Sequence, residues 1–284
     1  MEKIAIVTDT AADLDKETIR EYGIRVLPFR IIYPDREYRD GVDITSEKIY
    51  ADIPTIHVKS SLPSMEEMDE LFTGLVDEGY THTIVVTLSS GLSGIYNGVR
   101  LAAERHPDLI IHVEDSRSIS MGEGVLAIEA ARLARQQVPF EEIVERVGSM
   151  KERVKLFFVV ETLEYLIRGG RIGRVAGSLA EMMNVKPVIG SSLTDGKYET
   201  VARVRGRRKS IERLLSLVQE TAQGHRCKAY ILHGNAREEM QAFADQVQKV
   251  AGITEVVTGD NITPVAGVHS GPGLIGVVLV REED

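Results

Sequence analysis

The chain has 284 residues and a mass of 31.4 kDa, which is enough for one or two domains with a sizeable core. Its formal net charge of −9 argues against nucleic-acid binding, because an acidic molecule repels a phosphate backbone. No apolar run reaches the ~20 residues of a membrane helix, the first residues lack a signal-peptide pattern, and Cys227 is the only cysteine. The composition therefore predicts a soluble cytoplasmic protein without a stable membrane insertion, an intrachain disulfide or a cysteine-rich zinc site. We also expect no cofactor.

The first half of the chain alternates strand and helix patterns. Short runs of β-branched and apolar residues predict buried strands. Ser64 and Glu67 form a capping box, in which the hydroxyl and the carboxylate bind amides of the first helical turn. The order predicts an α/β domain over residues 1–152, with a mostly parallel sheet covered by helices. The predicted strands are 4–8, 26–33, 83–88 and 109–113, and the predicted helices are 15–23, 64–79, 122–135 and 140–151.

The second half has a different order of elements. Gly196 and Lys197 form a turn between two strand patterns, which predicts an antiparallel pair. We therefore expect a second α/β domain over residues 153–284. The predicted strands are 156–160, 185–190, 198–204, 228–232, 254–258 and 273–280, and the predicted helices are 161–168, 207–222 and 236–250.

Small hydroxylated residues and glycines follow three predicted strands, at 8–10, 89–94 and 115–116. In open α/β sheets, ligands bind beyond the carboxyl ends of the strands. The loop 89–94 leads into a helix, so its amides and hydroxyls can converge on an anion. The alternative is that these residues only build turns and caps. Ser60 and Ser61 add two hydroxyls that the capping role of Ser64 does not explain.

The segment 267–273 is the richest in glycine and contains His269, which can donate to an anion or carry a proton near neutral pH. The alternative is a histidine that the backbone holds in a tight turn. The glycines at 271, 273 and 276 match a dinucleotide-binding pattern, but a strand pattern follows where that motif requires a helix. The sequence has no Walker A motif, no metal-ligand motif and no Gly-x-Ser-x-Gly elbow of hydrolases.

Residues 168–213 carry 11 basic and 4 acidic residues, which gives a local charge of +7 in an acidic chain. This basic segment contains the glycine-arginine run 169–174 and the cluster 203–209. Positive charge at the start of a predicted helix is unfavourable with the helix dipole, so helix stability does not explain the cluster. Binding to a phosphate or to an acidic partner surface would explain it. The residues predicted to make that contact are Arg171, Arg205, Arg207 and Arg208.

Eight short motifs follow one another along almost the whole chain. They are TDTAADL at 8–14, SSLPS at 60–64, SSGLSGIY at 89–96, DSRSISMGEG at 115–124, YLIRGGRIG at 165–173, KP at 186–187, RGRRK at 205–209 and HSGPG at 269–273. Together and in this order, they resemble the DegV family of bacterial fatty-acid-binding proteins, which includes the FakB subunit of fatty acid kinase.

The resemblance implies two α/β domains with one long-chain fatty acid buried between them as the ligand. It implies a partner, an ATP-binding fatty acid kinase subunit that phosphorylates the bound carboxylate to an acyl phosphate for phospholipid synthesis. The protein would be a non-catalytic subunit whose basic segment guides the kinase, and transient contact with a membrane or an acyltransferase is compatible with this role. The implied carboxylate-binding residues are Ser60, Ser61, Ser93 and His269, with Gly94, Ser270 and Gly271 as supporting loop residues.

Two positions depart from the family pattern. Leu62 stands where glutamine is usual and Ile95 where threonine is usual, so neither side chain supplies a polar contact. Acyl-chain preference depends on the residues that line the binding cavity. The candidate lining residues are Met121, Phe157, Phe158, Met182 and Met183.

Two other functions fit the same residues. A lipid acyl hydrolase would use Ser93 as the nucleophile and His269 as the base, with Asp115 to orient the histidine. A lipid-responsive regulatory protein would use the basic segment to contact another macromolecule.

Overall fold

The structure is a computed structural model, and it describes residues 2–175 and 185–283. Within these residues the strands form three sheets, which are a four-stranded parallel sheet, a three-stranded antiparallel sheet and a six-stranded mixed sheet. The first two sheets lie in the first half of the chain and the third lies in the second half. The predicted α/β fold, with a parallel helix-flanked sheet followed by a second sheet, is therefore confirmed, and the boundary between 152 and 153 stays a prediction.

The first half begins with a strand and ends with two consecutive helices. In chain order, its elements are β1 (Ile4–Asp9), α1 (Lys16–Tyr22), β2 (Arg25–Leu27), β3 (Arg30–Ile32), β4 (Glu37–Arg39), α2 (Ser46–Asp52), β5 (Lys59–Ser61), α3 (Met65–Asp77), β6 (His82–Thr87), α4 (Ile95–Ala103), β7 (Ile110–Asp115), α5 (Met121–Arg135) and α6 (Phe140–Met150).

The second half mixes short and long helices with longer strands. Its elements are β8 (Val154–Val159), α7 (Glu164–Arg168), β9 (Lys186–Ser191), β10 (Tyr198–Val204), α8 (Arg207–Ala222), β11 (Cys227–Gly234), α9 (Arg237–Val247), β12 (Ile253–Asn261), α10 (Pro264–Ser270) and β13 (Leu274–Arg281).

The parallel sheet has the strand order β2-β1-β6-β7, and every pairing in it is parallel. Its central strands β1 and β6 are almost entirely buried, as expected for a sheet that is covered on both faces. The loops after β1, β6 and β7 therefore meet at one edge of the sheet. This edge carries the hydroxyl-rich segments that the sequence points to.

The prediction of a single strand over 26–33 is wrong, because the structure divides this segment into β2 and β3. Pro28 lies between them, and proline has no N–H group for a ladder hydrogen bond. β2 pairs with β1, whereas β3 pairs with β4 and β5 in the small antiparallel sheet. The small sheet matters for the site because β5 holds Ser60 opposite Ile31.

Helix boundaries in the first half follow the capping signals of the sequence. At the start of α1, the Asp15 carboxylate accepts a hydrogen bond from the Thr18 amide at 2.7 Å. At the start of α3, the Glu67 amide donates to the Ser64 hydroxyl and the Ser64 amide donates to the Glu67 carboxylate, so the predicted capping box is confirmed. Among the described residues, no helix is both long and apolar enough to cross a bilayer.

The six-stranded sheet has the order β10-β9-β8-β13-β11-β12, and its pairs are antiparallel except for β11 with β12. The predicted antiparallel pair on either side of Gly196 is confirmed as β9 and β10. The glycine-rich segment near His269 is not the tight turn that the alternative interpretation of His269 requires. Its first four residues, 267–270, form the end of α10, and the turn begins only at Gly271.

The six-stranded sheet has two different faces. On one face, Leu156 and Phe158 of β8 join the large core that includes the parallel sheet. On the other face, Val159 packs with Leu214 of α8 and Phe243 of α9 in a separate core. Because side chains alternate along a strand, neighbouring residues of β8 face opposite cores.

The turn between β9 and β10 packs on a loop of the first half. The Ser89 hydroxyl donates to the Gly196 carbonyl at 2.9 Å. A side-chain carbon at Gly91 would overlap the carbonyl of Asp195, so the two backbones are in direct contact. The loop 89–93, which carries Ser93, is thus held by a turn from the other half of the chain.

Candidate functional site

A cavity lies between the parallel sheet and the six-stranded sheet. The walls come from the loops after β1, β6 and β7, from the inner face of the six-stranded sheet and from α10. Most of the lining is apolar and includes Leu88, Ile119, Phe158, Leu232, Val265 and Leu274.

Ser60 and His269 form a pair at the wall of the cavity. Ser60 lies on β5 in the first half, and His269 lies in the last turn of α10 in the second half. The Ser60 Oγ atom is 2.7 Å from His269 Nε2, and both residues line the cavity. The two predicted residues are therefore brought together by the tertiary structure across 209 positions of sequence.

His269 is neutral at pH 7. Burial, together with the nearby Arg171 guanidinium, lowers the pKa of His269 to about 4. Its Nδ1 atom is buried without a hydrogen-bond partner among the described residues and faces Gly169, which follows α7. This environment favours the tautomer with the proton on Nε2, so the histidine donates to Ser60 Oγ.

Ser93 lies on the loop between β6 and α4, and it also lines the cavity. The Ile95 amide donates to Ser93 Oγ at 3.2 Å. The oxygens of Ser60 and Ser93 therefore both accept a hydrogen bond from the protein, which leaves their hydroxyl hydrogens available to a ligand. Two such donors beside an apolar cavity suit an acceptor group such as a carboxylate.

Arg171 supplies the positive charge of the cavity wall. Its Nε donates to the Leu92 carbonyl at 3.2 Å, and one terminal nitrogen donates to the Gly169 carbonyl at 2.7 Å. These bonds hold the guanidinium beside the loop that carries Ser93. A buried carboxylate requires several hydrogen bonds or a charge partner, and this wall provides both.

The remaining predicted site residues occupy different positions. Ser270 lines the cavity, whereas Ser61 is exposed on the strand β5. Gly94 caps α4, and Gly271 ends α10 with a φ of 71° at a place where a side chain would overlap the ring of Tyr165. The two glycines therefore shape the backbone around the cavity and are outside its lining.

The two positions that depart from the family pattern also lie outside the cavity lining. Leu62 packs against the backbone of Gly94 and Gly98 on α4. Ile95 is fully buried in the large core. Both side chains therefore contribute apolar packing behind the loop that carries Ser93.

The arginines near α8 do not line the cavity. Arg205 is exposed, and the Arg208 side chain is 92% exposed and pairs with Glu212. The Arg207 side chain is only 20% exposed, and its guanidinium forms hydrogen bonds to Glu239 on α9. Arg207 therefore ties α8 to α9, and Arg205 and Arg208 present the charge to solvent.

Only some of the residues predicted to line the acyl chain lie at the cavity. Phe158 lines the cavity, whereas Phe157 points to the core on the other face of the sheet. Met121 packs against the large core and is outside the cavity lining. Met182 and Met183 lie outside the described residues.

The geometry does not assemble the serine-hydrolase triad. The Nε2 atom of His269 faces Ser60 and not Ser93. Asp115 accepts hydrogen bonds from the amides of Ser90 and Arg117, so it does not orient the histidine. That chemistry requires a chain of hydrogen bonds from the acid to the base and from the base to the nucleophile. Asp115, His269 and Ser93 do not form such a chain.

Sequence reasoning missed three residues of the cavity region. Asp13 and Ser120 line the cavity, and Gly169 packs against His269. All three residues lie inside motifs that carry the family resemblance, and Gly169 also begins the glycine-arginine run 169–174. Their place in these motifs is the available signal, because the contacts that they make depend on the tertiary structure.

A family model described as "Uncharacterised protein, DegV family" matches residues 3–282. The chain belongs to the DegV family. A DegV domain-containing protein of Clostridium acetobutylicum is 45% identical to this DegV protein over 282 residues, covering 99% of this chain and 100% of the relative. The resemblance predicted from the eight motifs is confirmed.

Solved DegV structures share the fold of this DegV protein. A fatty-acid-binding DegV family protein from Thermus thermophilus superposes with a TM-score of 0.92 at 27% identity, covering 99% of this chain and 100% of that one. A stearic-acid-binding protein from Eubacterium ventriosum gives a TM-score of 0.89 at 29% identity, covering 98% of each chain.

Proposed function

We propose that this DegV protein binds one long-chain fatty acid in the cavity between its two halves. The carboxylate lies at the polar wall and the acyl chain lies along the apolar walls. The observation that carries this proposal is the pair of hydroxyls of Ser60 and Ser93 in the cavity lining. The Ile95 amide donates to Ser93 Oγ, and Ser60 Oγ accepts from His269 when the ring proton is on Nε2, so both hydroxyl hydrogens can be donated to a ligand. The stearic-acid-binding relative with the same fold supports it.

The energetics of the cavity suit such a ligand. Each methylene group that leaves water contributes ~0.8 kcal/mol, so the acyl chain provides most of the affinity. The cost of burying the carboxylate is offset by the two hydroxyl donors and by the charge of Arg171. His269 acts in its neutral form, and it orients Ser60 by donating to its oxygen.

We further propose that the bound carboxylate is presented to a partner, an ATP-binding kinase subunit. A carboxylate oxygen attacks the γ-phosphorus of ATP, ADP leaves, and the acyl phosphate enters phospholipid synthesis in the cytoplasm. This DegV protein supplies no catalytic group and acts as the lipid-binding subunit, with residues 1–152 and 153–284 as the two domains around the ligand. The exposed Arg205 and Arg208 support electrostatic docking of the kinase.

Solvent extraction of the purified protein, followed by mass spectrometry, tests the binding step. We expect a co-purified fatty acid at about one per protein chain, or uptake of added stearic acid after delipidation. Repeated absence of both would contradict the proposal. The kinase step is tested separately with a cognate kinase subunit and ATP, where we expect Ser93→Ala and His269→Ala to reduce the formation of acyl phosphate.

A further inference from the structure

The cavity contains a second polar group, formed by Asp13 and Ser120. Both residues line the cavity. The Ser120 hydroxyl donates to Asp13 Oδ2. The amide and the hydroxyl of Thr263 both donate to Asp13 Oδ1 at 2.7 Å, so this aspartate also holds the start of α10. The group is thus a fixed polar point in a mostly apolar wall.

Asp13 is half-buried, and it borders the cavity. Its neighbours in the cavity lining are apolar and include Ile119, Ile262 and Val265. Burial raises the pKa of Asp13 to about 6, which reflects how poorly this environment solvates a carboxylate. An unsubstituted acyl chain that packs against Asp13 would not offset the free-energy cost of burying its carboxylate.

The position of this group along the cavity follows from α10. Ala266 near the start of the helix and His269 at its end both line the cavity, so the helix runs along the wall. Thr263, which Asp13 holds, precedes His269 by six residues, and six residues of helix span ~9 Å. A polar group at that distance from the carboxylate end lies beside the middle of a long acyl chain.

The backbone at Ser120 adds a second observation. Ser120 has φ 59° and ψ −145°, a conformation that favours glycine. Such a conformation costs on the order of 1–3 kcal/mol for a residue with a side chain. The chain nevertheless places a serine here, and its hydroxyl points to Asp13 at the cavity wall.

We propose that this DegV protein prefers long-chain fatty acids that carry a hydroxyl group near the middle of the chain. The Ser120 hydroxyl turns from Asp13 Oδ2 to the oxygen of the ligand hydroxyl, and the ligand hydroxyl donates to Asp13 in its place, so that two hydrogen bonds replace one. This inference rests on the proposed fatty-acid binding and adds the class of acyl chain. The Asp13–Ser120 pair then acts as a specificity determinant that is separate from the carboxylate end.

The test is a displacement assay on delipidated full-length protein with a bound fluorescent fatty acid. The competitors are stearic acid, 10-hydroxystearic acid and 2-hydroxystearic acid, which differ only in the presence and position of one hydroxyl. We expect 10-hydroxystearic acid to bind about tenfold more tightly than stearic acid, because two hydrogen bonds, one of them to a charged acceptor, replace the single bond between Ser120 and Asp13. The 2-hydroxy compound should show no such gain.

A glycine substitution isolates the Ser120 hydroxyl. Ser120→Gly removes the hydroxyl and fits the backbone, so the fold is kept. Gln137→Gly is the matched control, since Gln137 has φ 59° but is exposed and outside the cavity lining. We expect Ser120→Gly to abolish the preference for 10-hydroxystearic acid while stearic acid still binds, and Gln137→Gly to keep the preference.

The outcomes separate this inference from the proposed function. Equal affinity for stearic and 10-hydroxystearic acid would overturn the inference and leave fatty-acid binding intact. An equal gain from 2-hydroxystearic acid, or an unchanged preference in Ser120→Gly, would also overturn it, because residues other than Asp13 and Ser120 would then bind the ligand hydroxyl. Failure of all three acids to bind would instead overturn the proposed function.

Discussion

The Oγ atom of Ser60 lies 2.7 Å from Nε2 of His269, and this contact joins β5 of the first half to α10 of the second half. In the proposed complex, neutral His269 carries its proton on Nε2 and donates to Ser60, so its effect on the ligand is indirect. The serine makes the contact, and the histidine fixes the direction of its hydroxyl hydrogen. The carboxylate end of the cavity therefore depends on residues from both halves.

The two serines of β5 provide a matched pair of variants. We expect Ser60→Ala to weaken fatty-acid binding about tenfold, because one donor to a charged acceptor is lost. Ser61→Ala should leave the affinity unchanged, since Ser61 is exposed. Displacement of a fluorescent fatty acid measures both. Equal losses in the two variants would show that the strand, and not the Ser60 hydroxyl, supports binding.

Gly169 is expected to be essential for the position of His269. A side-chain carbon at Gly169 would overlap Nδ1 of the histidine, so Gly169→Ala should displace the ring and lower fatty-acid affinity at least tenfold. Gly74→Ala is the control, because Gly74 lies in α3 with open space around it. The control should bind normally and gain up to ~1 kcal/mol of stability. Normal binding by Gly169→Ala would remove His269 from the proposed site.

The arginines near α8 are expected to separate into two roles. The double variant Arg205→Ala, Arg208→Ala should slow acyl-phosphate formation with a cognate kinase and leave fatty-acid binding unchanged, because both side chains are exposed. Arg207→Ala should instead lower the free energy of unfolding by about 1 kcal/mol, since it breaks the pair with Glu239. Urea denaturation measures the second effect. An undiminished kinase reaction in the double variant would exclude this surface as the docking site.

Asp40 is expected to make stability depend on pH. Its side chain is fully buried, and burial, together with the nearby carboxylates of Asp13 and Asp9, raises its pKa from 3.8 to about 7. The folded protein therefore binds this proton more tightly than the unfolded chain. Ionisation of Asp40 then costs stability as the pH rises from about 4 to about 7.

Asp40→Asn removes this ionisation. We expect the stability of the variant relative to wild type to increase by about 2 kcal/mol between pH 5.5 and 8.5, as measured by urea unfolding at each pH. The difference between the two pH values isolates the charge from any change in packing. A constant offset at both values would show that Asp40 does not titrate in this range.

The parts of the fold that the sequence predicts well are those with local signals. Ser64 and Glu67 lie three residues apart, and their capping box forms as predicted. The strand β10 and the helix α8 have the predicted bounds, because Gly206, with a φ of 85°, separates a strand pattern from a helix pattern. The strands of three residues in the small antiparallel sheet have too few residues to show such a pattern.

The site is predicted only in part. The sequence gives the type of each residue, but the direction of its side chain depends on the tertiary structure. The roles of Ser60 and Ser61 depend on the register of β5 against β3, which the two adjacent serines alone do not reveal. The partner of Arg207 is Glu239, 32 residues away, and Thr263 is 250 residues from Asp13. Such contacts arise only from the tertiary structure.

The contact between Gly91 and the turn between β9 and β10 limits how this turn can change. Turns on a protein surface usually tolerate insertions and varied sequences. Here the Asp195 carbonyl occupies the space that a side chain at Gly91 would need, and Gly196 accepts a hydrogen bond from Ser89. An added residue in this turn would shift the loop that holds Ser93. The length of this turn is therefore constrained by the binding site, although none of the residues of the turn lines the cavity.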